Sequence, residues 1–150
     1  EAYEHDLATL SGFGATIAEI DFDPFFAVAR LLYEGPWVAE RYHAVKALIE
    51  TETDALHPVT RGIISNATKF DAVAAFDAFY RLADMKRALE PVLAGLDCLA
   101  VPSIPTIYTV DAVMADPVTL NSNLGTYTNF VNLLRPQVRE VITKFSIVHL

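Results

Sequence analysis

Cysteine is nearly absent from this sequence: among 150 residues there is only Cys98. One thiol cannot build an internal disulfide framework, and the count fits a reducing, cytoplasmic setting. Basic residues are also scarce, 11 against 19 acidic ones, which leaves a formal net charge of −8. A surface of that sign repels phosphate backbones and anionic lipid, so nucleic acid and membranes are poor candidate partners. A small anion needs a local cation to be held. No apolar run approaches the ~20 residues that span a bilayer. The N-terminus carries no basic-then-apolar leader. The sequence opens at Glu1 without an initiator Met, which points to a processed or excised piece.

Chemistry-bearing motifs are missing too. The histidines are His5, His43, His57 and His149. None of them pairs at the i, i+4 spacing that would place two ligands on one helix face, and Cys98 has no second cysteine, so no metal site is expected. Phosphate-cradling glycine loops and the G-x-S-x-G turn are absent, and no cofactor is implied. Ser65 and Ser103 lie near turns without a neighbouring base and read as turn or capping residues rather than nucleophiles.

What the sequence does have is apolar material, 53% of its residues. That suffices for the core of one domain of ordinary size and argues against disorder. Ala2–Leu10 reads as a helix ended by Gly12 and Gly14. The alternation in Ala15–Phe22 predicts a strand. Asp23-Pro24 reads as an N-cap and first turn of a helix running to about Tyr33. Gly35-Pro36 separates it from a second helix, Trp37 to about Glu50, and His57-Pro58 marks a loop. Thr68 or Asn66 is expected to cap the longest helix, about Lys69–Ala94. Its apolar stripe of Phe70, Val73, Phe76, Phe79, Leu82, Met85 and Leu89 recurs every three or four residues. Cys98–Val101 predicts a buried strand. Short helices are expected over Val110–Ala115 and Thr126–Leu134, with a turn at Asn121–Gly125 between them. The order gives an α/β class of helix-rich, α+β appearance, few strands flanked by several helices.

One corner invites a functional reading. Tyr33 closes one helix, Gly35-Pro36 turns the chain, and Arg41 follows in the opening turns of the next. A phenol donor and a guanidinium fork beside a helix N-terminus suit a carboxylate, because the fork grips both oxygens and free N–H groups favour negative charge. On the residues alone the ordinary alternative weighs more: Tyr33 as half-buried core and Arg41 in a surface ion pair with Glu34 or Glu40.

The segment Leu31–Tyr42 resembles the allophanate hydrolase pattern of the amidase-signature family. So do His57–Ile64, Cys98–Thr106 and Asn121–Leu134. The resemblance covers about residues 1–134, in the right order. It implies a mixed sheet flanked by helices and hydrolysis of allophanate, the carboxylated form of urea. It also implies Tyr33 and Arg41 as the pair that anchors the substrate carboxylate. Tyr127 and Asn129 approach the pocket in that reading without assigned roles.

The match is incomplete. Enzymes of this family use a serine nucleophile, a second serine in a cis peptide and a lysine base, within a Gly/Ser-rich stretch preceding this region. The sequence has no such stretch, and Lys46, Lys69, Lys86 and Lys144 do not match the base's setting. An anchor without a nucleophile binds without lowering a barrier. After Leu134 the sequence departs, and 135–150 reads as a divergent tail in which Val138, Val141, Ile142, Phe145 and Val148 suit either an amphipathic helix or a strand. A truncated sheet exposes edges and apolar surface, so self-association is expected. The readings are therefore an incomplete allophanate hydrolase, inactive as an isolated chain but able to hold a small carboxylate such as allophanate, or a non-catalytic scaffold or oligomerising module derived from the same fold. A third is a different enzyme working through Asp54 and His57.

Overall fold

The structure, a computed structural model, describes residues 2–134 and the backbone of 141–144. Helix α1 covers Ala2–Gly12. It ends as its glycines require: Gly14 has φ 93°, the left-handed region in which a Cβ is strained. The tyrosine at its start ties it to a segment 97 residues away, the Tyr3 hydroxyl donating to the Ala100 carbonyl oxygen at 2.8 Å.

The predicted strand over Ala15–Phe22 does not form; these residues run without regular structure. A strand needs a neighbour to take its N–H and C=O groups. Among the described residues the one sheet is a parallel pair formed elsewhere. Only at its end does this segment join the core, where the Phe22 ring stacks on Phe25 at 4.9 Å.

Helix α2, Asp23–Glu34, is the centre of the fold. Its buried residues Phe25, Val28, Ala29, Leu31 and Leu32 fall three, four and seven apart, a stripe down one face. The expected capping by Asp23 is corrected. Phe22 occupies the cap position, and the carboxylate of Asp21, the residue before it, accepts from the Asp23 N–H at 3.0 Å. Asp23 stands inside the first turn, where its charge still complements the helix dipole. Against the α2 stripe pack helix α5, Ala72–Ala94, and the short helix α8, Val131–Leu134. Phe130, just before α8, sets its ring edge-on to Phe25 at 5.1 Å and to Phe22 at 5.5 Å. Phe25, Phe130 and Leu134 are fully buried.

Helix α5 starts later than its sequence suggests. Asn66–Lys69 form a separate 3-10 turn, and Asp71 caps the helix, its Oδ1 accepting from the Ala74 N–H at 2.8 Å. Pro91 does not break it. The helix ends at Ala94, so only the last turn loses regular bonding. The long apolar stripe divides. Leu82 and Leu89 are buried and Met85 half-buried, but Val73, Phe76 and Phe79 stand 58–68% exposed.

Strand β1, Leu99–Pro102, forms one residue later than expected and is buried on one face only: Cys98 is exposed and outside it, and buried Leu99 and Val101 alternate with half-buried neighbours. It pairs in parallel with β2, Val141–Lys144, Leu99 opposite Val141. The tail thus supplies a strand, while Val138, Phe145 and Val148 lie outside the described residues.

Two helices were not legible. His57-Pro58, expected as a loop, opens α4, Pro58–Ser65. The β-branched residues Val59, Thr60, Ile63 and Ile64 and the interior Gly62 give it low intrinsic propensity, and packing on α3 supplies what propensity does not. Asn121–Gly125, expected as a turn, is the end of α7, Pro117–Leu124, capped by Asp116. Helix α6, Val110–Ala115, falls where predicted. The helix expected from Thr126 begins only at Val131. Before it, Thr126 Oγ1 donates to the Asn123 carbonyl at 2.6 Å and lies 3.2 Å from Asn123 Oδ1. Such local bonds compete with regular helix.

Candidate functional site: a cationic cleft at the Gly35-Pro36 corner

The corner between α2 and α3, the latter spanning Val38–Thr51, is held by a close backbone approach. The Gly35 N–H donates to the Leu31 carbonyl at 3.0 Å. A Cβ on Gly35 would come within 2.5 Å of that oxygen and 3.2 Å of the Trp37 ring. Glycine is therefore demanded by space, at an ordinary φ of −100°. Trp37 then packs edge-on to Phe79 at 5.5 Å, fixing the start of α3 against α5.

This corner brings Tyr33 and Arg41 to one cleft of about 240 Å³. Leu32, Val38, Ile63 and Phe70 give it apolar walls, and Asn66 and Lys69 from the 3-10 turn complete its polar lining. Lys69 and Asn66 were not anticipated as site residues. In sequence Asn66 reads as a candidate helix cap and Lys69 as the start of the longest helix, and only the short turn before α5 carries them here. Two cations therefore line the cleft, with no carboxylate among its described lining residues. In a protein of net charge −8 that is a local reversal of sign, the condition for holding a small anion.

The partners of the two anchor candidates differ. The Tyr33 hydroxyl, on a side chain 45% exposed, donates to Asn129 Oδ1 at 3.1 Å. Arg41 is exposed, and among the described residues it forms no ion pair with Glu34 or Glu40, so its fork is not consumed on the surface. One expectation is trimmed. The N–H groups of Ala39 and Glu40 at the start of α3 are taken by the carbonyls of Pro36 at 2.8 Å and Trp37 at 3.3 Å. The start of α3 therefore offers these two N–H groups to no ligand, and the cleft's polar lining is made of side chains.

The remaining candidates are placed as follows. Tyr127 sits in the core margin, its ring 6.2 Å from Phe22 and 6.0 Å from Phe26. His57 spends its Nδ1 as the cap of α4, accepting from the Val59 N–H at 3.3 Å, and Asp54 lies 4.0 Å from Arg61. An imidazole nitrogen already accepting a backbone hydrogen is not free to take a substrate proton. Tyr42, next to Arg41, donates to Glu50 at 3.1 Å; desolvation, with the carboxylate beside it, raises its phenol above the ordinary value. Among the described residues no group of three or more His, Cys, Asp or Glu converges to hold a metal ion. No described helix is long and apolar enough to cross a membrane.

No protein-family model matches the chain. Individual proteins do. The urea amidolyase of Lachancea kluyveri is 43% identical over 133 residues, and that of Saccharomyces cerevisiae 39%. These matches cover 87% of this chain and 7% of each relative. The structure of Kluyveromyces lactis allophanate hydrolase, solved as a serine-to-alanine variant, superposes with a TM-score of 0.84 at 40% identity over 88% of this chain and 22% of that one. The urea amidolyase structure from the same yeast gives 0.85. Sequence and backbone agree over the same large share of the chain, which belongs with the allophanate hydrolases and urea amidolyases as a counterpart of one piece of those larger proteins.

Proposed function

We propose that this chain is the carboxylate-holding piece of an allophanate hydrolase-type amidase, extending to about residue 134, with Tyr33 and Arg41 as the anchor. The observation that carries this reading is their meeting in one small cleft whose two cations, Arg41 and Lys69, have no carboxylate among the described lining residues. Arg41 grips the two carboxylate oxygens through its fork, and the Tyr33 phenol adds a hydrogen bond. Lys69, from the 3-10 turn that also lines the cleft, contributes a point charge. The apolar walls lower the local dielectric and strengthen each contact.

Hydrolysis is not part of the proposal for the isolated chain. Attack on an amide needs an activated nucleophile and donors for the developing oxyanion. The serines and lysines here lack the family's Gly/Ser-rich setting. The chain binds, and chemistry requires groups from outside it. A cytoplasmic location goes with this reading.

The test is titration calorimetry with malonate, a small carboxylate carrying a second polar group at similar spacing. Binding that falls at least about tenfold in Arg41→Ala supports the anchor, since hydrogen bonds to charged groups are worth about 1.5–3 kcal/mol. No binding, or binding indifferent to Arg41, overturns it. Release of ammonia from allophanate by the purified chain would overturn the non-hydrolytic part.

A second reading, a self-associating scaffold, is favoured by one observation. Val73, Phe76, Phe79 and Tyr80 on the first half of α5 are each more than half exposed. Contiguous apolar surface of this kind marks interaction sites.

A further inference from the structure

Tyr33 stands at the last turn of α2, nearly half exposed, so packing alone does not aim its hydroxyl. The partner that does so comes from 96 residues away. We propose that Asn129, seated on Gly125, is a positioning residue that turns the Tyr33 hydroxyl toward the bound carboxylate and selects which way its hydrogen points. The inference rests on the carboxylate-anchor reading above.

The argument is one of donors and acceptors. A phenol has one hydrogen, and a carboxylate only accepts. With that hydrogen given to Asn129 Oδ1, as found here, Tyr33 offers an anion nothing but lone pairs. An amide carries an acceptor at one end and donors at the other. A half-turn of the Asn129 side chain replaces Oδ1 by Nδ2, which donates to the phenol oxygen. The phenol hydrogen is then released to the carboxylate. No covalent bond changes, and the proton remains on the Tyr33 oxygen throughout.

Gly125 makes room for this. A Cβ there would overlap Cγ, Oδ1 and Nδ2 of Asn129 alike, so the face of the amide rests on the bare Cα. Turning the amide over exchanges its ends against the same neighbour. The backbone fixes the pair, since the Asn129 N–H donates to the Gly125 carbonyl at 2.9 Å.

The experiment is a double-mutant cycle on the full 150-residue chain, with malonate as ligand and calorimetry as readout. Tyr33→Phe and Asn129→Ala are each expected to weaken binding several-fold to about tenfold. The double variant should bind no more weakly than Tyr33→Phe alone, because Asn129 acts through the phenol. Asn129→Asp keeps the shape and the acceptor but has no hydrogen to give, and is expected to bind more weakly than Asn129→Ala. Because it is nearly isosteric, it reports even if the alanine variant fails to fold. Losses that multiply in the double variant, no loss in Asn129→Ala, or wild-type affinity in Asn129→Asp would overturn the assignment. Arg41→Ala separates the two proposals. If it abolishes binding while Asn129→Ala does not weaken it, the anchor stands and the Asn129 role falls. If the unsubstituted chain does not bind malonate, both fall.

Discussion

The hydroxyl of Tyr3 reaches the carbonyl oxygen of Ala100 at 2.8 Å, joining the first helix to β1 across 97 residues of sequence. Burial raises the Tyr3 phenol above its ordinary value. A raised value in the folded state means the protonated form is favoured there. Its contribution is present in full below the unfolded phenol's value of about 10 and is lost as pH rises through the folded one. Thermal melts followed through the alkaline range should therefore show a fall that is shallower in Tyr3→Phe. At neutral pH that variant should lose about 0.5–1.5 kcal/mol, the net worth of one hydrogen bond. Identical alkaline profiles would count against the tie.

The Phe25 and Phe130 rings, 5.1 Å apart and both fully buried, join α2 to the segment before α8. Phe130→Ala should cost about 3–5 kcal/mol, the usual range for emptying such a site. A domain's total stability is only about 5–15 kcal/mol, so urea unfolding of this variant should lose much or all of its cooperative transition. Phe130→Leu fills most of the space and should retain it.

Two glycines make opposite predictions. At Gly35 a Cβ has no room. Gly35→Ala should destabilise by about 1–3 kcal/mol, as overpacking does, and weaken malonate binding by shifting Tyr33 relative to Arg41. At Gly62, inside α4, a Cβ meets nothing within 4 Å. Gly62→Ala should stabilise by about 0.5–1 kcal/mol through helix propensity alone. Thermal melts of the two variants check both signs.

The aromatic face of α5 carries the prediction for association. Phe76 is 60% exposed and Phe79 58%. Sedimentation velocity over a wide concentration range should show reversible self-association of the unsubstituted chain. Phe76→Glu with Phe79→Glu should abolish it, since burying a charge opposes association. A strictly monomeric chain would remove the scaffold reading.

How much of this was legible follows from the distance over which each feature is decided. The Gly35-Pro36 break, the extent of α2, a strand near Leu99 and the short α6 depend on neighbours within a turn or two, and they stand close to where the sequence predicts. Ala15–Phe22 carries a strand's alternation, yet alternation supplies no partner, and without one the backbone stays irregular. The α5 stripe was readable as a stripe but not as half buried, because only the placement of α2 decides which of its turns is covered. In α4 the intrinsic preferences of Val59, Thr60 and Gly62 point away from helix, and packing on α3 overrides them.

The same division holds for the site. Tyr33 and Arg41 lie eight positions apart on either side of a tight corner, so their common edge is a local consequence of chain geometry. The sequence by itself determined that the two lie near one corner, the chain's acidic balance and the positions of most helices, because propensity, capping and charge act over a few residues. Tertiary structure decided that Lys69 and Asn66 share the cleft and that Asn129 meets the Tyr33 hydroxyl from 96 residues away. It also decided that the tail strand pairs with β1. Those contacts exist only once the core around Phe25 has closed, because a hydrogen bond between distant residues forms when hydrophobic burial has already met the entropy of bringing them together.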